Sequence, residues 1–345
     1  MSLLIATDEA GYGPRLGPLV IAATAWRLKP DADWEDAARR LSEPVEIPPL
    51  GKLCVDDSKK LYRGGSAIAH GGGSTARLDA IAAAAAAWIG APRPDGDYRA
   101  WLCQLAPDDL EGLTRQPWFA PLAVSQGAEV ASGEAFVDSL LNHWNGGRMR
   151  LVGIAARVID AARFNRLLET KANKADLLSN LTCELALRLL QRHATQEDAA
   201  GEVQIFSDRH GGRARYAGLL QHHCPESLLR VIAEGPRLSE YLLMAPDGEA
   251  GLSQLSLRWR FTVGGDSYPP VAMSSIIAKS TRERLMRYFN DFFAAAWNRK
   301  TNPNPNRVQL KPTAGYAVDA DRFLAQTAAL RRQLSIPDER LIRAK

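Results

Sequence analysis

Asp8 and Glu9 close an apolar run of Leu3, Leu4, Ile5 and Ala6, and the loop behind them holds Gly11, Gly13 and Gly17 with Pro14 and Pro18. A short apolar run bounded by turn residues reads as a buried strand. Both carboxylates are therefore expected at a strand end, facing a glycine-lined loop. Burying acids there is costly unless something positive compensates, and a divalent cation is the usual partner. Taken alone, the stretch also fits a solvated pair of turn acids. Two further segments repeat the arrangement. Val203, Ile205 and Phe206 mark a short strand that ends in Asp208, with Gly211 and Gly212 behind it. Phe261 and Val263 lead through Gly264 and Gly265 to Asp266, and beyond Pro269 and Pro270 a helix is expected over residues 271–297. Acids at strand ends and helix entrances can converge from distant parts of a chain. Four hard oxygen ligands with no thiolate nearby suit Mg²⁺ or Mn²⁺ rather than zinc. The chemistry implied is two-metal phosphoryl transfer, one ion activating a water and the other stabilising the leaving oxygen, roughly 3.5–4 Å apart.

The elements that must hold these acids are legible in part. Residues 78–89 are alanine-dense and predict a helix by propensity. Residues 174–193 space Leu177, Leu178, Leu181, Leu185 and Leu189 along one helical face, with Cys183 and Leu187 joining it. Residues 319–334 form a further amphipathic helix. Leu255, Leu257, Trp259 and Phe261 alternate with Ser256, Arg258 and Arg260, the period of a half-buried strand, and pair in a hairpin with residues 241–244 across Asp247 and Gly248. The 345 residues exceed what a core of this kind needs. Insertions are expected near 91–130, rich in Pro, Asp, Trp and Gly, and at 238–261. Gly71, Gly72, Gly73 and Ser74 read as a loop, and the absence of a following Gly-Lys-Ser/Thr excludes a phosphate-binding loop of the nucleotide-hydrolase kind.

The motifs resemble those of the type 2 ribonucleases H. Asp8, Glu9, Ala10 and Gly11 with Gly13, Pro14, Gly17 and Pro18 look like that family's opening signature. Asp57, Ser58, Lys59, Lys60 and Leu61 resemble its next motif. Residues 274–279, followed by Thr281, Arg282, Glu283 and Arg284, resemble its later helix with Asp266 just ahead, and Gly315 with Tyr316 resembles its C-terminal element. The motifs run in family order from Asp8 to Tyr316. The resemblance implies an α/β ribonuclease H-like fold: a mixed five-stranded sheet flanked by helices, with a C-terminal helical extension. Residues 1–267 would be the catalytic core with its insertions, and 268–345 a basic extension of the same domain. It further implies endonucleolytic hydrolysis of the RNA strand of RNA–DNA hybrids, or of ribonucleotides embedded in duplex DNA, leaving phosphomonoesters. By position, Asp8, Glu9, Asp208 and Asp266 become the catalytic metal ligands. Gly11, Tyr12, Gly13 and Tyr316 become contacts to the nucleic acid, and Lys59 a phosphate contact. Tyr12 stands where the family usually carries Arg or Lys, Arg209 and His210 stand where a glycine usually follows, and Glu283 replaces an Asp. These departures bear on substrate preference: an aromatic can stack on a base or sugar where a cation would attract phosphate.

Charge is informative when split. The chain carries 43 basic and 39 acidic residues. From Lys279 onward there are 14 Lys and Arg against 6 Asp and Glu, a net +8, which leaves −4 for the remainder. A basic C-terminal fifth suits phosphate binding, with Lys279, Arg282, Arg284, Arg299, Lys300, Arg307 and Lys311 as candidates. The alternative is solvated helix faces with internal pairs such as Glu283 with Arg287. Cys54, Cys103, Cys183 and Cys224 lack paired zinc spacing, and His210 stands close enough to Asp208 to serve as a proton shuttle or to be a loop residue. No signal peptide or membrane span is read from the sequence, so a cytoplasmic protein is expected. Two other functions remain open: a nuclease of the same fold acting on DNA or branched substrates, and a nucleic-acid-binding protein that does not cleave.

Overall fold

The computed structural model describes residues 2–29, 32–58, 61, 75–124, 134–245, 255–300 and 309–344. Its centre is a seven-stranded mixed sheet in the order β5-β2-β1-β6-β9-β8-β7. The strands are β1 (Ser2–Ala10), β2 (Leu19–Leu28), β5 (Met149–Ile159), β6 (Glu202–Asp208), β7 (Leu228–Glu234), β8 (Leu238–Met244) and β9 (Ser256–Thr262), with β3 (Val45–Ile47) and β4 (Gly51–Leu53) forming a separate pair. β1 runs parallel to β6 and β6 parallel to β9, while every other junction in the sheet is antiparallel. The parallel trio is what matters for chemistry, because it brings three strand C-termini to one edge. A hydrogen bond of 2.7 Å between the hydroxyls of Thr7 and Ser207 pins β1 to β6 one residue before the acids.

Seven strands replace the expected five because the hairpin β7–β8 continues pairing beyond β9. The anticipated pairing of residues 241–244 with 255–261 is present, Tyr241 lying opposite Trp259, and its turn lies outside the described residues. Residues 255–261 lie in the segment expected as the second insertion. They form β9, whose parallel pairing with β6 leads the chain to Asp266.

Strand alternation separates two cores. Leu4, Ala6, Val20 and Ala22 face one side of the sheet, and Leu3, Ile5, Ile21 and Ala23 the other. The helix Lys174–His193 covers the second side with the leucine face read from its spacing, Cys183 included. On the first side the helix Pro269–Lys300 crosses β1 and β2, and Ser274 fixes it there by donating to the Ala6 carbonyl at 2.9 Å and bonding the Thr24 hydroxyl at 2.9 Å. Residues from 268 on thus open with a central helix rather than an appended one. The alanine-rich helix Ala76–Trp88 is buried nearly all round, its small side chains allowing close approach to the helices Glu134–Asn145 and Pro269–Lys300.

The segment expected as an insertion near 91–130 is built into this same core as far as residue 124. Its helices Tyr98–Leu105 and Pro107–Thr114 and the 3₁₀ turn Pro117–Ala123 bury Trp101, Leu102, Leu105, Trp118 and Phe119. The Trp118 ring packs edge-on against Phe289 at 5.5 Å and stacks near Phe293 at 6.1 Å. Composition reads this stretch as loop because its prolines and aspartates punctuate the sequence. Here they start helices: Asp97 caps one by accepting from Ala100 N–H, and Pro107 opens the next. Among the described residues no helix is long and apolar enough to cross a membrane.

Candidate active site

Asp8 and Glu9 are the penultimate pair of β1, Asp208 is the last residue of β6, and Asp266 sits in the 3₁₀ turn Gly265–Ser267 that links β9 to the helix Pro269–Lys300. All four line one cavity of about 230 Å³ at the edge where the parallel strands end. The turn is tied to β6 by Gly265, whose N–H donates to Asp208 Oδ1 at 2.8 Å; a side chain at Gly265 would crowd the Asp208 backbone. Asp8 shares its face of β1 with Leu4 and Ala6, Glu9 lies on the other by alternation, and the cavity wraps the strand end to reach both.

The electrostatics follow from this crowding. Burial pushes the Asp8 carboxyl up to about 7, a hydrogen bond from Ser275 works against that shift, and the nearby Asp208 and Asp266 charges add to it. Glu9 is raised well above the ordinary carboxylate range, first by burial and then by Asp8 and Asp208. A pocket that destabilises its own anions favours a cation. The donors are carboxylates and hydroxyls with no thiolate, which fits a hard divalent ion. Among the described residues no three Asp, Glu, His or Cys side chains stand close enough to hold one ion as placed. The fit therefore rests on donor chemistry and a shared cavity, not on preformed coordination.

The remaining walls come from three segments. Gly11 and Tyr12 bring the glycine-rich loop. Ser58 represents the second motif, bonded to Ser275 at 3.0 Å, and Ser275, Lys279, Arg282 and Glu283 line the cavity from one face of the long helix. Tyr316 closes the rim, 57% exposed, with the Arg282 guanidinium 6.0 Å from its ring centroid. Gly11 has φ +86°, and a Cβ there would overlap Arg282 and the Pro18 carbonyl, so the loop depends on glycine at this position. The Tyr12 ring lies against Gly211, and its phenol is raised by burial and by the Glu9 charge.

Several expected residues fall elsewhere. Gly13 is exposed and does not line the cavity, because the loop turns outward after Tyr12. Lys59 lies outside the described residues, as do Lys60, residues 71–74 and Arg307. His210 is not a shuttle. It is 2% exposed, bonded through Nδ1 to Ser179 at 2.9 Å and packed edge-on against Tyr216 and Phe261, and burial lowers its pKa to about 3. The cations also divide. Lys279 and Arg282 line the cavity and Arg299 and Lys311 are exposed, but Arg284 turns inward, donating to the Pro94 carbonyl and covering the Tyr98 ring at 4.4 Å. Arg287 pairs with Asp79 at 3.3 Å, not with Glu283, whose partner is Arg282 at 3.5 Å. Ser58, Ser275 and Glu283 were visible as motif members, yet nothing in their spacing alone marks them as cavity residues.

No protein-family model matches the chain, and no curated protein sequence matches it. Among solved structures, the chain is similar to ribonuclease HII of Archaeoglobus fulgidus, solved in a complex with PCNA, at 17% identity and TM-score 0.45, covering 99% of this chain and 94% of that one. It is similar to ribonuclease H2 of Pyrococcus horikoshii at 14% identity and TM-score 0.39, covering 98% and 92%. It is also similar to Bst-RNase HIII, solved with Mn²⁺, at 14% identity and TM-score 0.41, covering 99% of this chain and 66% of that one.

Proposed function

We propose that this chain is a divalent-cation-dependent endoribonuclease that hydrolyses the RNA strand of RNA–DNA hybrids, or ribonucleotides embedded in duplex DNA. The observation that carries this reading is the single cavity lined by Asp8, Glu9, Asp208 and Asp266 with Lys279, Arg282 and Tyr316 around it. The motif order in the sequence supports it independently. The four acids would hold Mg²⁺ or Mn²⁺, which when bound supplies an activated water and stabilises the leaving oxygen. The chain's own groups do the rest. Lys279 and Arg282 offset phosphate charge at the cavity wall. Ser275 orients Asp8 through its hydrogen bond. Tyr316 presents an exposed ring to a sugar or base, and backbone groups of Gly11 are available to a 2′-hydroxyl, which both donates and accepts hydrogen bonds.

The test is cleavage of end-labelled duplexes with Mg²⁺ or Mn²⁺: an RNA–DNA hybrid, a DNA duplex with one ribonucleotide, and an all-DNA duplex. Ion-dependent cuts confined to ribonucleotide-containing strands are expected. Binding without a cut on any of the three would make the chain a binding protein.

Tyr12 favours a second reading, a nuclease of the same fold with relaxed or shifted specificity, because it puts an aromatic in the cavity where the resembled family has a cation. Tyr12→Arg is expected to raise the ratio of cleavage rates on ribonucleotide-containing over all-DNA duplex by about tenfold, the discrimination one polar contact supplies. An unchanged ratio would place Tyr12 outside the discriminating contact.

A further inference from the structure

Next to the acid cavity lies a larger one, of about 590 Å³, bounded by β6, β9 and the first turns of the helices Trp34–Ser42 and Pro269–Lys300. The two share a wall. Asp208 lines the first, Ser207 and Thr262 line the second, and Gly265 stands between, its N–H on Asp208. The second cavity exists because the long helix lies mainly over β1 and β2 and leaves Gln204, Phe206 and Arg260 of β6 and β9 uncovered.

Its lining is partly aromatic. The Phe206 and Tyr268 rings meet at 4.8 Å with 36° between planes, and Trp34 adds a third. The Arg260 guanidinium lies 5.2 Å from the Phe206 centroid, held there by Glu240 at 3.1 Å and Gln204 at 3.0 Å. Charge is balanced, with Asp33 and Glu35 against Arg237 and Arg260, so the cavity has no bias toward phosphate. A volume within the range of roughly 300–1,000 Å³ typical of ligand clefts, a tilted pair of rings, a fixed guanidinium and hydrogen-bonding groups at the rim together suit an uncharged planar heterocycle.

We propose that this cavity receives a nucleobase of the substrate strand, one that leaves the stack beside the cleaved linkage. The class of ligand rests on the cavity itself; the source of the base rests on the nuclease reading above. Adjacent parallel strands are about 4.8 Å apart, so a wall one residue thick puts the base within one or two nucleotides of the acids.

The experiment uses the full chain in EDTA, so that binding is read without turnover. An RNA–DNA hybrid is compared with hybrids carrying one abasic site, moved position by position, and adenosine is titrated separately against tryptophan fluorescence. In the unmutated chain one abasic position is expected to weaken binding about tenfold, the scale of one stacked base. Phe206→Leu, which keeps apolar bulk against Tyr268, is expected to weaken the intact hybrid equally and to show no further loss at that position. The abasic scan needs no variant to fold. No sensitive position, or a Phe206→Leu affinity equal to wild type, overturns the proposal. Adenosine quenching with abasic hybrids bound normally would overturn the substrate-strand source and leave a free nucleoside as the ligand. If the chain binds no hybrid, the nuclease reading falls separately: adenosine quenching that Phe206→Leu abolishes would uphold the nucleobase class, and no quenching would overturn it.

Discussion

Asp208→Asn is expected to lower cleavage by at least about 100-fold, since even partners one shell removed from a metal typically matter by about 10–100-fold. Duplex affinity should be largely retained. The substitution is nearly isosteric, and asparagine keeps the Oδ1 that accepts the Gly265 N–H, so the link between β6 and the turn carrying Asp266 survives. What is lost is one negative charge from a cavity where burial first, and the neighbouring carboxylates second, already raise the Asp8 and Glu9 carboxyls. A second readout follows. Without divalent ions the variant should melt above the wild type, because removing a like charge relieves the buried acids. Adding Mn²⁺ should raise the melting temperature of the wild type more than that of the variant, by mass action on the folded state. Lost activity with gained stability marks a functional charge rather than a structural one. Full activity in Asp208→Asn would remove Asp208 from the catalytic set.

The acids were legible because their positions follow from local rules. An apolar run that ends in an acid before glycines marks a strand end whatever surrounds it, as at Asp8 and Asp208, and both ends reach one cavity with Asp266 from the turn after β9. The helix Lys174–His193 was legible because its leucines keep period, and Asn173 caps its start by accepting from Asp176 N–H. Residues whose fate depends on what lies opposite were not legible. His210 is two positions from Asp208, but the chain leaves β6 there, and the side chain falls back between the nearby Tyr216 and Phe261, which is distant in sequence. Arg284 follows two cavity residues on the same helix, yet a turn of 100° per residue aims it at Tyr98 instead. The sequence offered Arg284 as a phosphate contact and Glu283 as the partner of Arg287 because their contacts with Pro94 and Asp79 are invisible until those segments are in place.

The largest expected loss of stability lies in the segment whose composition reads as an insertion. Asp109 has a side chain with no exposed surface and accepts from Val158 N–H at 2.7 Å, from Arg157 Nε at 3.1 Å and from Arg163. It thereby fastens the helix Pro107–Thr114 to β5, the outer strand that braces β2 and, through it, β1. Asp109→Ala would leave Arg157, 8% exposed at its side chain, with Glu184 at 3.6 Å as its remaining ion-pair partner among the described residues. Breaking a buried pair by removing one partner costs about 3–5 kcal/mol, most of it the uncompensated charge left behind. Asp109→Asn retains an acceptor for Val158 N–H and should lose less. Urea unfolding checks this: the midpoint should fall in the order wild type, Asn, Ala with slopes unchanged, since a changed slope would report an altered denatured or native state instead. Deleting residues 95–125 is a harsher version of the same change. It would also strip Trp118 from Phe289 and Phe293, so the deletion should unfold the chain rather than retune its substrate range. An Asp109→Ala protein within about 1 kcal/mol of wild type would mean that Arg157 reaches water, and that this segment is detachable from the core after all.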